Sequence, residues 1–92
     1  MSESTTASEQ QVIADTFLQK AERAAGQGKG EEARAWLEGA VELDETNVDA
    51  WLRLAQFIPD ARERMECYGR VLGLAPGDSR AKAGLRKARR EL

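Results

Sequence analysis

Asn47-Val48-Asp49-Ala50-Trp51-Leu52-Arg53-Leu54-Ala55-Gln56-Phe57-Ile58 is apolar at Trp51, Leu54, Ala55 and Ile58. That is the i, i+3, i+4, i+7 spacing of one helix face. Thr46 with Asp49 reads as a capping box at its start, and Pro59-Asp60 stops it. The same spacing continues outward in both directions. Upstream lie Ala33, Trp36, Leu37, Ala40 and Val41, preceded by Ile13, Phe17, Ala21 and Ala24, with Leu18 and Ala25 widening that stripe. Downstream lie Ala61, Met65, Tyr68, Val71 and Leu72, then Ala81, Leu85, Ala88 and Leu92. Glycine, proline and short polar runs at 26–30, 44–47, 59–60 and 75–78 separate the five segments. None alternates with period 2, so the spacing predicts an all-α chain of five helices.

Capping chemistry fixes the expected starts. Ser8 with Gln11 reads as a capping box, and Asp60 and Asp78 can accept the first backbone N–H groups of the turns they precede. Gly30 offers no side chain, but Glu31 and Glu32 put negative charge at the positive end of the second helix. Residues 1–7 lack apolar periodicity and read as a disordered tail ahead of a single domain over 8–92.

Composition narrows the function. Ninety-two residues make one domain, and its 41% apolar content includes fifteen alanines, so the core is modest. There is no histidine, which removes the commonest general base and transition-metal ligand. The single Cys67 can form neither an internal disulfide nor a multi-cysteine zinc site, and no histidine lies beside it to activate the thiol. An enzyme, a metal and a cofactor are therefore not expected. The oxygen-rich 44–49 stretch lacks the glycine and distal glutamate of a calcium loop and reads as capping sequence. The polar, acidic N-terminus resembles no signal peptide and no apolar run is long enough to span a bilayer, which points to the cytoplasm.

The segments are related. Residues 41–47 align with 72–78 at an offset of 31, which also pairs Leu54 with Leu85; Phe17 aligns with Trp51 at an offset of 34. A period of 31 to 34 residues built of helix pairs signals a solenoid. At Trp51, Leu54, Ala55 and Ile58 the sequence resembles the opening of the tetratricopeptide repeat, with Ala for Gly and Ile for Tyr. Ala33, Leu37 and Ala40 fit its second-helix positions, and Pro76 stands at its closing proline. The resemblance implies a right-handed solenoid of stacked antiparallel hairpins, with one repeat at 14–47, a second at 48–78 and a capping helix at 79–92. Two departures stand out: Arg64 occupies a small-residue position, and Pro59-Asp60 shortens the second repeat's turn.

The resemblance further implies a protein-interaction scaffold whose first helices line a concave groove for a partner's peptide or helix. That groove would draw on Asp15, Leu18, Glu22 and Ala25, on Asp49, Leu52, Arg53 and Gln56, and on Arg80, Ala83 and Lys87. Family members that clamp a terminal carboxylate use Lys and Asn at positions that are Leu18, Glu22 and Arg53 here, so that clamp is not expected. Charge is segregated: residues 1–47 hold ten acidic and four basic side chains, and residues 48–92 hold six and ten. Lys82, Arg86, Arg89 and Arg90 share one arc of the last helix, a basic patch suited to an acidic protein, a nucleic-acid backbone or anionic lipid. No aromatic side chain interleaves with these cations, which argues against nucleic acid. Val12, Ile13 and Leu92 at the terminal helices are apolar and could pair two copies as a homodimer.

Overall fold

The computed structural model describes residues 6–92, which form five α-helices with no strand among the described residues. They are α1 (Ala7–Gly26), α2 (Gly30–Leu43), α3 (Val48–Ala55), α4 (Ala61–Leu74) and α5 (Ser79–Arg90). None is long and apolar enough to cross a membrane. The chain divides into two compact units at the Glu45–Thr46 bond. The expectation of a tail over 1–7 falls outside the described residues except at its end. There the structure corrects it: Thr6 is the N-cap of α1 and Ala7 its first residue.

The first unit is the α1–α2 hairpin. Thr6 and Glu9 exchange side-chain-to-backbone hydrogen bonds at 3.1 and 3.3 Å, so the capping box lies two residues upstream of Ser8 and Gln11. α1 ends where Lys29 N–H donates to the Ala24 carbonyl (2.9 Å) and Gly28 N–H to the Ala25 carbonyl (3.1 Å). Gly28 has φ +75°, which its missing Cβ permits, and the chain turns into α2. The hairpin closes over Ala14, Ala21, Ala24, Ala33, Leu37, Ala40 and Val41. Ala14 is fully buried whereas Ile13 is 38% exposed, so Ala14 replaces Ile13 at the head of a stripe whose Ala21 and Ala24 are buried as expected. Alanines bring the two backbones close, and Phe17 then lies directly on the α2 backbone. A Cβ built on Gly39 would stand 2.8 Å from its ring. Trp36 meets Phe17 edge-on with centroids 5.0 Å apart, and Lys20 Nζ sits 5.2 Å over the indole.

The second unit packs α3 on α4 and α4 on α5. Leu52, Val71 and Ala81 form its buried cluster, with Val48, Trp51, Tyr68 and Leu72 half-buried around it. Both tryptophans, expected in the core, are only half-buried, and Arg70 lies 5.6 Å over Trp51. The N-cap of α3 is Asn47, which accepts Ala50 N–H at 3.0 Å, in place of the expected Thr46–Asp49 box. α3 also stops early. Gln56, Phe57 and Ile58 donate to the carbonyls of Arg53, Leu54 and Ala55, a tightened i−3 pattern that brings the chain to Pro59.

The 31-residue offset reappears in backbone geometry. Asp44 and Ala75, which end α2 and α4, have φ/ψ of −143°/90° and −139°/84°. Asn47 and Asp78, three residues on, cap α3 and α5 with side-chain oxygens. The same turn is thus built twice, once with Asp-Glu-Thr-Asn and once with Ala-Pro-Gly-Asp.

Candidate functional site

Two surface depressions open on the second unit, and they share Gln56 and Tyr68. One, of about 430 Å³, is lined by Asp49, Leu52, Arg53, Gln56, Tyr68 and Arg80. The other, of about 530 Å³, continues past Gln56 and Tyr68 to Ile58, Arg64, Gly84, Lys87 and Glu91. Of the residues expected from α3 and α5, Asp49, Leu52, Arg53, Gln56 and Arg80 line the first depression and Gln56 and Lys87 the second, while Ala83 lines neither. Leu52 enters as floor, since it is 8% exposed and belongs to the buried cluster.

Helix periodicity explains the grouping. Asp49, Arg53 and Gln56 follow one another at four and three residues along α3, as Arg80, Lys87 and Glu91 do at seven and four along α5. Arg53 Nε donates to Asp49 at 3.0 Å, which holds its guanidinium along the helix. Arg80 is held by Asp78, whose carboxylate caps α5 by accepting Arg80 N–H at 2.9 Å and Ala81 N–H at 3.0 Å. The Ala81 N–H is the main cause that keeps the Asp78 carboxyl below the ordinary range, with the Arg80 guanidinium adding to it against partial desolvation. Gln56 and Lys87 are exposed.

Two residues of this surface were not legible as site residues. Tyr68 reads as a core aromatic from its place on the α4 stripe. In the structure it is half-buried and common to both depressions, because its ring lies on Gly84, where a Cβ would overlap it. Arg64 reads as a misfit at a small-residue position. Its guanidinium donates to the carbonyls of Ile58 (2.9 Å) and Pro59 (2.7 Å) and to the Glu91 carboxylate. It ties the shortened α3–α4 turn to the end of α5, and the turn that displaced the small residue supplies the acceptors. The early proline after Ile58 was the available signal, since a helix cut short leaves carbonyls in need of a donor.

The other expected residues do not line these depressions. Asp15, Leu18 and Glu22 share one face of α1, with Asp15 and Glu22 exposed and Leu18 half-buried. Lys82, Arg86, Arg89 and Arg90 are all exposed on α5. Val12, 65% exposed, and Ile13 line a shallow apolar hollow with Ser8 and Glu9, and Leu92 is 63% exposed. Cys67 is buried in α4. Among the described residues no three His, Cys, Asp or Glu side chains gather as a metal site would require.

The family model for the tetratricopeptide repeat matches residues 14–57, from within α1 to the turn that follows α3. No curated protein matches the chain.

Proposed function

We propose a role for this chain from the tetratricopeptide repeat family, whose model matches residues 14–57 and whose repeats mediate protein–protein interaction. On that premise we propose that the protein is a non-catalytic scaffold that receives a peptide or helix of a partner on the α3–α5 face of its second unit. The observation that carries this reading is the meeting of Arg53, Arg80 and Lys87 around an exposed amide, Gln56, over a floor of Leu52 and Tyr68. Cations on a partly apolar floor suit a segment that presents carboxylates beside apolar side chains, because the floor supplies burial and the rim supplies orientation. Asp15, Leu18 and Glu22 on α1 extend the same role to the first unit as a less basic contact.

Affinity capture from native lysate tests it, comparing the wild type with R53E/K87E. These side chains lie on the surface of helices whose cores the substitutions leave alone, so the helical circular dichroism stays unchanged while partners are lost. Equal retention of the same partners by both proteins removes this face from the function.

A further inference from the structure

Each unit carries one helix with an exposed face on which one sign of charge dominates. On α2, Glu31, Glu38 and Glu42 are exposed on the side opposite the buried Ala33, Leu37 and Ala40, and the cation among them, Arg34, is already drawn to Glu38 at 3.4 Å. On α5, Lys82, Arg86, Arg89 and Arg90 are exposed on one side, and α5 itself contains no acidic residue. The stripes match in length: at 1.5 Å per residue the carboxylates span about 16 Å and the cations about 12 Å. Like charges this close repel one another in the free chain, and a helix of opposite sign laid along either stripe relieves that repulsion.

We infer that these two stripes are the halves of one self-interface, in which α5 of one copy lies along α2 of a second copy. The chain supplies the complementary surface itself, and with near-neutral net charge (−2) two copies meet without overall repulsion. The contact is electrostatic and small, so the association is weak and strongly dependent on ionic strength. It uses neither Arg53 nor Lys87, so it stands or falls separately from the α3–α5 face.

Sedimentation equilibrium of the full chain at about 20 mM and about 300 mM salt reads it, because the Debye length falls from about 20 Å to about 6 Å over that range. The expected result is a mass that rises with protein concentration at low salt, and an association constant at least tenfold smaller at high salt. The decisive measurement uses two charge-reversed proteins, R86E/R90E and E31K/E42K, each with its helical circular dichroism checked first. Each alone loses self-association, and an equimolar mixture recovers it, since one stripe of each sign survives in the pair. A wild type that stays monomeric at low salt overturns the inference, as does a mixture that fails to associate. Duplex DNA that binds the wild type and E31K/E42K alike, with the protein monomeric throughout, assigns the α5 stripe to nucleic acid instead and equally overturns it.

Discussion

The two units use one packing device and put it to different ends. In each, an aromatic ring lies against a glycine of the next helix: Phe17 on Gly39 in the first, Tyr68 on Gly84 in the second. Beside Phe17 the space is taken by Trp36, which meets it edge-on, and the hairpin core is five alanines with Leu37 and Val41. Around Tyr68 it stays open to two depressions rimmed by cations. Tyr68 borders both depressions and Arg64 the second, and together they edge the surface proposed above to receive a partner.

The comparison breaks most visibly in the closed unit. Leu37 is the largest fully buried side chain there, at 1% exposure. Leu37→Ala leaves a cavity between helices already held close by alanine and should cost about 3 kcal/mol. Leu37→Met, which conserves volume, should cost less than about 1.5 kcal/mol. Urea denaturation followed by circular dichroism measures both, and equal costs for the two would mean that the hairpin does not pack as described.

The open unit should break at Arg64. Its guanidinium serves two turn carbonyls and Glu91 with only 16% of the side chain exposed, so Arg64→Ala strands acceptors rather than merely removing a charge. A loss of about 1–2 kcal/mol is expected, within the range for hydrogen bonds to charged groups. Arg34→Ala in the first unit removes an i,i+4 pair with Glu38 that by itself contributes about 0.3–0.5 kcal/mol, and it should cost less than Arg64→Ala. If the two arginines prove equivalent in denaturation midpoint, Arg64 is a surface charge and the tied turn is wrong.

The glycines sharpen the contrast. Alanine favours a helix over glycine by up to about 1 kcal/mol, while overpacking costs about 1–3 kcal/mol. At Gly39 the clash falls on a ring that already packs edge-on against Trp36, so Gly39→Ala should destabilise by about 1 kcal/mol. At Gly84 the overlap is deeper, but Tyr68 borders open space and can swing into it. Gly84→Ala should therefore leave the melting temperature nearly unchanged while it shifts the tyrosine near-ultraviolet signal and weakens partner capture. The reverse pattern would place the open surface in the first unit.

Much of this was legible in the residues, for physical reasons that also mark where reading fails. Five helices follow from apolar spacing, because a 3.6-residue period survives substitution of one apolar side chain for another. Cap positions slipped by one or two residues at Thr6 and Asn47, since Ser8 and Thr46 offer a side-chain oxygen acceptor just as the true caps do and only backbone geometry chooses between neighbours. Ala14 displaced Ile13 from the packing stripe because close helix approach favours the smaller residue, a tertiary demand that hydrophobicity alone does not express. Leu52, Arg53, Gln56, Arg80 and Lys87 all follow from the register of the resembled repeat, and they are divided between the two depressions of the second unit. Tyr68 and Arg64 escaped because each belongs to two neighbourhoods at once, a packing position along α4 and a surface position across to α5.

The smallest expected effect lies in the caps, where the units again differ. α2 begins at Lys29 with no side-chain cap, while α5 begins at Asp78 with two backbone N–H groups on one carboxylate. Because the Ala81 and Arg80 contacts hold the native Asp78 carboxyl below its ordinary range, the unfolded chain takes up the proton at higher pH than the folded one. The cap's contribution is therefore complete above the ordinary aspartate value near 4 and is lost as pH falls through the lower native value. Asp78→Asn keeps an oxygen acceptor at the N-cap and removes the titration. Melting temperatures of the two proteins, followed from about pH 6 down to about pH 2, should converge on acidification as the wild type loses its advantage. Curves that stay parallel to the lowest pH would show that the carboxylate is no better held in the native state than in the unfolded chain. The capping geometry of α5 would then have no part in how acid unfolds the second unit.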